Sequence, residues 1–365
     1  MQEHYYAVIM AGGGGTRLWP ISRKQCPKQM ISFGQERSLY QMAVDRLTGV
    51  FAPEQIFIVT NAQMASALQT QVPSIPRRNY VLEPMPKGTA AAIGLAAVEI
   101  LSRDDHPAAT MAVLTADHYI QNVPYFRNLL LAAYDAASDG HMVTLGIKPT
   151  YPSTGYGYIQ RGEWVKGYQG INAYRVVRFL EKPDEENARR LIRLGNYDWN
   201  SGMFFWRVNH ILEQFRQHMP DLASVLNELL YACRKGEYSE TLERVWGGIV
   251  PQTIDYGIME KASGVVVLPT MDLGWNDVGS WDSLFEVLPP DERGNIVVDA
   301  EHIGVDTFNS LIYGEKSKRL IVTIGARNLI VVDTGDALLV CSRNEAQKVR
   351  HVIELLSKKN LERYL

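Results

Sequence analysis

Cysteine is scarce in this chain of 365 residues, which carries only Cys26, Cys233 and Cys341. Three widely spaced cysteines cannot all pair, and they match no zinc-knuckle spacing. The sequence therefore excludes a disulfide framework and a cysteine metal site. We expect free thiols in a reducing compartment.

Long apolar runs are also missing. No run approaches the roughly eighteen residues that a membrane span requires, and the start, MQEHYYAVIM, has an acid where a secretory leader has basic residues. Neither sign of charge dominates, because 37 Lys and Arg face 40 Asp and Glu for a formal net charge of -3. Such a chain has no global field to attract nucleic acid or an anionic membrane. We expect a cytoplasmic protein with no nucleic-acid or membrane partner, whose anion-binding sites are local.

Residues 1 to about 150 alternate short apolar runs with amphipathic segments of helical length. The apolar runs are YYAVIM, QIFIVT, NYVLE, TMAVLTAD and MVTLGI, and the segments between them are SLYQMAVDRL, NAQMASALQTQ, GTAAAIGLAAVEIL and PYFRNLLLAAYDAA. This alternation predicts βαβ units, which build a largely parallel sheet with helices on both faces. Ligands of such sheets bind beyond the carboxyl ends of the strands, which directs attention to residues 12–17, Glu83 and Asp117.

The pattern changes at about residue 150. STGYGYIQRG and WNSGMFFW predict loops rich in glycine and aromatic residues, mixed with helices. Adjacent prolines at 289 and 290 interrupt both regular structures, so we expect a domain boundary there. It divides a domain of residues 1–288 from a small domain of residues 289–365, in which short strand-like runs precede a final helix.

Four consecutive glycines, Gly12 to Gly15, follow the first apolar run, and the cations Arg17 and Lys28 come soon after them. Glycine permits positive φ and lets backbone N–H groups approach an anion closely. Four glycines exceed what a tight turn requires, so we interpret the loop as a phosphate cradle. A P-loop is disfavoured because no Lys-Ser or Lys-Thr follows. A dinucleotide fingerprint is disfavoured because LWP stands at 18–20, where its third glycine and its helix belong.

Carboxylates elsewhere have two interpretations each. Asp117 ends an apolar run and Asp277 lies in the loop MDLGWNDVGSW, so the pair could hold one hard cation such as Mg2+. From the residues alone, a helix cap or turn former is the better interpretation of each. Glu181 and Lys182 could meet sugar hydroxyls and a phosphate, or form a surface ion pair before a helix that begins near Asp184.

The segment GGGGTRLWPIS at 12–22, followed by PKQ at 27–29, resembles the signature of the sugar nucleotidyltransferases, GGxGTRLxPxS followed by PK. The variants LWPISR and PKQ are similar to those of the mannose-1-phosphate guanylyltransferases in particular. This resemblance implies a Rossmann-like mixed sheet flanked by helices, followed by a small domain like a left-handed β-helix. It also implies transfer of GMP from GTP to α-D-mannose 1-phosphate, giving GDP-mannose and pyrophosphate, with Mg2+ or another divalent cation.

The resemblance implies a role for each matching residue. The implied roles are nucleotide binding for Gly12, Gly13, Gly14, Gly15, Thr16, Glu83 and Thr89; catalysis at the phosphates for Arg17 and Lys28; metal binding for Asp117 and Asp277; and sugar-phosphate binding for Gly157, Glu181, Lys182 and Asn200. Of the last group, Glu181 and Asn200 would hold sugar hydroxyls and Lys182 would contact the phosphate of the sugar.

The chain departs from the family at one loop. The guanylyltransferases commonly carry Arg-Asn-Thr where this chain has Lys87-Gly88-Thr89, and lysine lacks the planar fork of arginine. The same chemistry with another hexose 1-phosphate or nucleotide, such as GDP-glucose formation, therefore stays an alternative, as does a nucleotide-sugar sensor without turnover. We expect Thr89 to cap the following helix and IDYGIMEK at 254–261 to be a short helix with Tyr256 in the core. The strand-rich tail is compatible with a homodimer.

Overall fold

The computed structural model describes residues 2–13, 15–314 and 319–365. Tertiary contacts divide the chain into two compact units. The first comprises Met1–Gly12, Asp45–Thr115 and Gln121–Leu273, and the second comprises Gly13–Val44, Ala116–Ile120 and Gly274–Leu365. The expected domain division at residue 289 stays a prediction.

Strands and helices alternate along the first part of the chain. The strands are β1 (Tyr5–Met10), β2 (Ile56–Thr60), β3 (Tyr80–Leu82), β4 (Thr110–Thr115), β5 (Tyr119–Ile120), β6 (Met142–Ile147), β7 (Tyr158–Tyr168), β8 (Ile171–Leu180), β9 (Tyr197–Arg207), β10 (Val265–Thr270), β11 (Trp275–Asn276), β12 (Ile296–Val298), β13 (Glu301–Val305), β14 (Leu311–Tyr313), β15 (Leu320–Ile324), β16 (Leu329–Asp333) and β17 (Leu338–Ser342). The α-helices are α1 (Leu39–Asp45), α2 (Ala62–Gln71), α3 (Thr89–Arg103), α4 (Val123–Ser138), α5 (Glu185–Leu194), α6 (Val208–His218), α7 (Pro220–Lys235), α8 (Tyr238–Trp246), α9 (Leu284–Val287) and α10 (Val349–Lys358). Each apolar run and helical segment predicted for the first 150 residues appears in its expected place.

A mixed sheet forms the centre of the first unit, and its described strands follow the order β3-β2-β1-β4-β9-β6-β10-β8-β7. β1 pairs in parallel with both β2 and β4, so that Ala7 lies opposite Ile56 on one side and Ala112 on the other. β9 is antiparallel to β4 and to β6, which it separates. The predicted Rossmann-like mixed sheet is confirmed.

Helices cover both faces of this sheet. Successive side chains of a strand point to opposite sides, so a strand that is apolar throughout needs a packing partner on each face. Tyr5 packs against Tyr134 of α4, with ring centroids 4.7 Å apart. Tyr6 points the other way and joins the buried cluster that contains the alanines of α3. Small side chains let α3 lie close to α7, because a Cβ at Gly94 would be 2.6 Å from Leu226.

The segment WNSGMFFW forms part of strand β9, so the prediction of a loop there is wrong. Phe205 and Trp206 are fully buried although they face opposite sides of the strand. Aromatic residues favour such a pleated, packed surface. Gly202 has a φ of +67°, and the register between β6 and β9 is irregular nearby, so the glycine accompanies a bulge and does not end the strand. The second half of STGYGYIQRG likewise lies in β7, which begins at Tyr158.

Two small sheets shape the C-terminal part of the second unit, with the orders β12-β14-β16-β17 and β13-β15 among the described strands. The chain forms successive coils whose strands pair in parallel: β12 with β14, β14 with β16, and β13 with β15. β17 then folds back antiparallel to β16. Ile296, Leu311 and Ile330 lie in register and join a buried cluster that includes Trp19 and Trp281. Parallel pairing of successive coils is the arrangement of a β-helix, as predicted for this domain.

The described residues include no helix that is both long enough and apolar enough to cross a membrane. Cys26, Cys233 and Cys341 are free thiols, as predicted, and Cys26 is exposed. Cys233 and Cys341 are partly buried, and burial raises the pKa of each thiol. Both therefore stay protonated near neutral pH.

We expect the substitution Asn122→Ala to lower the free energy of unfolding by about 1 kcal/mol, the usual cost of losing an N-cap. The side chain of Asn122 caps α4 by accepting a hydrogen bond of 3.1 Å from the N–H of Tyr125. Asn122→Asp keeps an acceptor at the cap and should retain most of the stability. Urea denaturation of the three proteins measures the effect, and equal losses in both variants would contradict the capping role.

Candidate active site

The glycine loop follows β1 and requires glycine at two described positions. Gly13 and Gly15 have φ angles of +122° and +53°, which other residues adopt only with strain. A Cβ at Gly15 would also lie 2.3 Å from the Cβ of Lys28. Gly12 is exposed, whereas Gly14 and the side chain of Thr16 lie outside the described residues.

A buried anchor follows the glycines in the second unit. Trp19 is buried, and its carbonyl accepts a hydrogen bond of 2.9 Å from the indole of Trp281. Ser22 donates a hydrogen bond of 2.7 Å back to the carbonyl of Gly15. Arg17 is exposed on the short 3-10 turn Thr16–Leu18, which lies between Gly15 and Trp19. Its guanidinium is therefore presented to solvent from an anchored turn, as binding of an anion requires.

The ammonium of Lys28 joins two of the predicted functional loops. The side chain is 7% exposed, and its Nζ donates a hydrogen bond of 2.9 Å to Oδ2 of Asp117. The same Nζ donates to the main-chain carbonyl of Asp277. Burial raises the pKa of Asp117, but the charges of Lys28 and His118 and the hydrogen bond from Lys28 outweigh it, so the pKa lies below its ordinary value. The structure thus brings Lys28 together with both predicted metal ligands.

The loop after β11 is built to present the carboxylate of Asp277. The side chain of Asn276 accepts a hydrogen bond of 2.7 Å from the N–H of Val278, which has a φ of +46°. Oδ1 of Asp277 accepts from the N–H of Gly279 at 3.1 Å. A Cβ at Gly279 would lie 2.7 Å from Oδ2 of Asp277, so glycine there leaves the carboxylate its space.

Asp117 and Asp277 fit a hard divalent cation by their chemistry. The Lys28 ammonium lies between the Asp117 carboxylate and the Asp277 carbonyl, so oxygens of both residues already face a positive charge. Residues 2–13, 15–314 and 319–365 contain no group of three or more His, Cys, Asp or Glu side chains that could hold a metal ion. Two carboxylates match Mg2+, which takes few protein ligands and adds water and substrate phosphates.

Glu83 follows β3, as predicted, and lines a cavity of about 670 Å³ in the first unit. Its Oε1 is buried without a hydrogen-bond partner among the described residues. Burial raises the pKa of this carboxyl to about 7, although a hydrogen bond from the N–H of Lys87 lowers it. A buried acceptor that the protein leaves unsatisfied is suited to receive a donor from a ligand.

Thr89 does not cap α3, so that prediction is wrong. The N-cap of α3 is Gly88, and no side chain caps the helix. The Thr89 hydroxyl instead accepts a hydrogen bond of 2.9 Å from the N–H of Ile254. Lys87 is buried, and its Nζ donates to the carbonyl of Gly247 at 2.6 Å. The loop that departs from the family pattern therefore holds another part of the first unit.

Three of the residues expected at the sugar meet in the first unit. Gly157 precedes β7, Glu181 follows β8, and Asn200 lies on β9. A Cβ at Gly157 would lie 2.7 Å from Oε2 of Glu181 and 3.4 Å from the Cβ of Asn200. The carbonyl of Gly157 accepts a hydrogen bond of 2.8 Å from the N–H of Asn200. The bare backbone at 157 thus leaves room beside a carboxylate and an amide, which are acceptor and donor groups for hydroxyls.

Lys182 forms an ion pair with its neighbour in the chain. Its Nζ lies 2.7 Å from Oε1 of Glu181, and 61% of the Lys182 side chain is exposed. The helix predicted near Asp184 begins at Glu185, and the side chain of Asp184 caps it by accepting from the N–H of Asn187 at 2.8 Å. Because an exposed ion pair contributes little to stability, the ammonium can exchange this carboxylate for a phosphate.

The sequence prediction missed Asp255. Its Oδ1 accepts a hydrogen bond of 2.8 Å from Nδ2 of Asn200. Asp255 opens the π-helix Asp255–Met259, an element that is frequent at functional sites. The only sequence signal was the segment IDYGIMEK, and the expectation that Tyr256 lies in the core is wrong, because its side chain is 45% exposed.

Comparison with known proteins gives two family models and close relatives. The nucleotidyl transferase model matches residues 6–293, and the model of a "MannoseP isomerase/GMP-like beta-helix domain" matches residues 300–356.

A mannose-1-phosphate guanylyltransferase of Escherichia coli (strain K12) is 37% identical over 356 residues, which are 97% of this chain and 73% of that protein. The alginate biosynthesis protein AlgA of Pseudomonas aeruginosa is 35% identical over 357 residues, or 95% of this chain and 71% of that protein. A crystal structure from Thermus thermophilus, named mannose-1-phosphate geranyltransferase, has a TM-score of 0.86 and 34% identity, and the match covers 97% of this chain and 99% of that one.

We expect the substitution Glu83→Gln to change how stability depends on pH. The folded pKa of about 7 exceeds the ordinary 4.5, so the contribution of the protonated carboxyl is fully present below the ordinary value and is lost as the pH rises through about 7. Glutamine escapes this loss, so the variant should gain about 2 kcal/mol relative to the wild type between pH 4 and pH 8. Urea denaturation at both pH values measures the gain, with exposed Glu54→Gln as the control. A gain of the same size in the control, or none in Glu83→Gln, would contradict the raised pKa.

Proposed function

This chain belongs to the nucleotidyl transferase family, among the mannose-1-phosphate guanylyltransferases, and from that premise we propose that it transfers GMP from GTP to α-D-mannose 1-phosphate. A phosphate oxygen of the sugar bonds to the α-phosphorus of GTP while the bond to the β-phosphate oxygen breaks, giving GDP-mannose and pyrophosphate. The attacking phosphate is already anionic, so the reaction needs alignment and charge neutralisation more than a strong base.

The observation that carries this proposal is the buried Lys28 ammonium between the Asp117 carboxylate and the Asp277 loop. Phosphoryl chemistry requires positive charge where negative charge accumulates, and this cluster supplies an ammonium and two carboxylates suited to a cation. Arg17 and the bare backbone of the glycine loop would add donors for the triphosphate. Lys28 then has two tasks: it neutralises phosphate charge, and it holds the two acidic loops.

Asp117 and Asp277 would hold Mg2+, which would supply positive charge to offset the negative charge that develops during transfer. The lowered pKa of Asp117 keeps its carboxylate ionised throughout the neutral range, as a cation ligand must be. Glycine at position 279 gives the Asp277 carboxylate room beside its own loop. Both properties belong to the protein itself.

The sugar phosphate would bind where Gly157, Glu181 and Asn200 meet. Glu181 accepts hydrogen bonds from hydroxyls, and the Asn200 amide fixes the orientation of the ring. Lys182 leaves its exposed pair with Glu181 to meet the phosphate of the sugar. Glu83 would accept from the base, because its buried Oε1 has no donor among residues 2–13, 15–314 and 319–365. Guanine offers such donors on its Watson–Crick edge.

We expect strong pyrophosphate release for GTP with mannose 1-phosphate when GTP, ATP, UTP and dTTP are crossed with mannose 1-phosphate and glucose 1-phosphate in Mg2+. Turnover restricted to another pair would keep the chemistry and change the substrate, which is the alternative that Lys87-Gly88 leaves open. No turnover with any pair, from folded protein that still binds GTP, would overturn the proposal in favour of a sensor.

We expect Asp277→Asn to lower kcat about 100-fold with little loss of stability, because the amide keeps the size of the side chain but not its charge. Asp272→Asn is the matched control, since this exposed residue lies five positions earlier and its φ of +57° suits asparagine. Steady-state kinetics with varied Mg2+ measures both variants. Full Mg2+-dependent activity in Asp277→Asn would show that Asp277 is not a ligand.

A further inference from the structure

Residues 252–255, named here the crossing segment, lie against the loop that precedes α3. The N–H of Gln252 donates a hydrogen bond of 3.2 Å to the carbonyl of Lys87. The carbonyl of Gln252 in turn accepts one of 3.2 Å from the N–H of Ala90. These main-chain bonds tie the crossing segment to the loop on both sides of Gly88.

The loop is shaped to receive the crossing segment. Gly88 has a φ of +84°, and a Cβ there would lie 2.3 Å from the carbonyl oxygen of Gln252. The hydroxyl of Thr89 accepts from the N–H of Ile254 at 2.9 Å. The sequence Lys87-Gly88-Thr89 therefore holds the crossing segment in place.

The last residue of the crossing segment holds the amide of Asn200. Oδ1 of Asp255 accepts from Nδ2 of Asn200 at 2.8 Å, and Oδ1 of Asn200 accepts from the N–H of Gly202 at 3.0 Å. A carboxylate can only accept and a main-chain N–H can only donate, so these partners fix which end of the amide faces which way. The second N–H of the Asn200 amide donates to none of the described residues, so it remains for a further acceptor.

Asp255 occupies a position that is costly for a carboxylate. Burial raises its pKa, as does the negative charge of Glu181, while the hydrogen bond from Asn200 and the charge of Lys182 lower it. Glu260 adds a further acid to the same surroundings. A neutral asparagine would fit the same space without this cost, so stability alone does not account for an acid there.

We propose that Asp255 is a positioning residue for the sugar phosphate: it orients the Asn200 amide, and the crossing segment links that orientation to the loop 87–90. Binding of a nucleotide at the loop 87–90 would then tighten binding of the sugar phosphate, because the crossing segment contacts both that loop and the Asn200 amide. This inference rests on the proposed function, which assigns Asn200 to the sugar and Glu83, Thr89 and their loop to the nucleotide.

The test is a comparison of KM and kcat in Asp255→Ala, Asp255→Asn and wild-type protein. We expect Asp255→Ala to raise the KM for mannose 1-phosphate about tenfold, the usual effect of losing a hydrogen bond to a charged group. Its KM for GTP and its kcat at saturation should stay within about twofold. Asp255→Asn still offers an oxygen to the Asn200 amide, but it lacks the charge and can turn its own N–H groups toward that amide, so it should restore only part of the loss.

A second measurement tests the link between the two sides. Calorimetry gives the affinity for mannose 1-phosphate with and without the α,β-methylene analogue of GTP, which cannot transfer GMP. The analogue should tighten binding in the wild type and should tighten it less in Asp255→Ala. Glu260→Gln is the matched control, because it removes a neighbouring negative charge and leaves the Asp255–Asn200 hydrogen bond in place.

The outcomes separate this inference from the proposed function. Wild-type turnover with an unchanged KM for the sugar phosphate in Asp255→Ala would overturn the positioning role. A KM raised equally for both substrates in Asp255→Ala, together with a lower urea midpoint, would show that Asp255 has only a structural role. If Glu260→Gln weakened the coupling as much as Asp255→Ala does, the effect of Asp255 would come from its charge and not from its hydrogen bond. If the wild type turns over no substrate pair, the proposed function fails, and calorimetry with mannose 1-phosphate alone then decides the role of Asp255.

Discussion

The buried ammonium of Lys28 is the interaction on which the second unit depends. A charge that is 7% exposed must be paired, and its partners come from two loops that are far apart in the sequence. The ammonium also lowers the pKa of Asp117, and the Cβ of the Lys28 side chain packs against the bare Cα of Gly15. One side chain therefore sets the position of the glycine loop, the ionisation of one acid and the path of the other acidic loop.

Three acids assigned to the proposed site have pKa values that are shifted in opposite directions. Asp117 is held ionised by a cation, whereas burial raises the pKa of Glu83 and of Asp255. A permanently ionised carboxylate suits a metal ion, and a carboxylate in a less polar pocket suits neutral donors such as hydroxyl and ring N–H groups. Under the proposed function, the environment of each carboxylate, more than its residue type, would suit it to the cation or to the substrate.

Sequence reasoning succeeded where a signal is local. Alternating periodicity predicted the strands and helices of the first 150 residues and put Asp117 beyond β4, because strand ends follow directly from apolar runs. It failed for β9, because glycine and aromatic residues look alike in a loop and in a bulged strand that is buried on both faces. Thr89 and Asp255 were misjudged or missed because their partners, Ile254 and Asn200, are remote in the chain and no spacing rule connects them. The roles assigned by resemblance stay predictions, although the structure brings Gly157, Glu181 and Asn200 together.

The location of Asn200 on β9 has a consequence for how selectivity can evolve. Asn200 lies inside the sheet, opposite Gly146 of β6, and its neighbour Trp199 lies opposite Tyr158 of β7, so this residue cannot drift as a loop residue can. Exchange of surface loops other than the crossing segment would leave its main-chain position unchanged. The close approach of β6 at Gly146, where a Cβ would lie 2.8 Å from that of Asp198, ties the strand down further. Under the proposed role of Asn200, moving this amide relative to a hexose would require substitutions within the sheet, so this one contact should change more slowly than the loops around it.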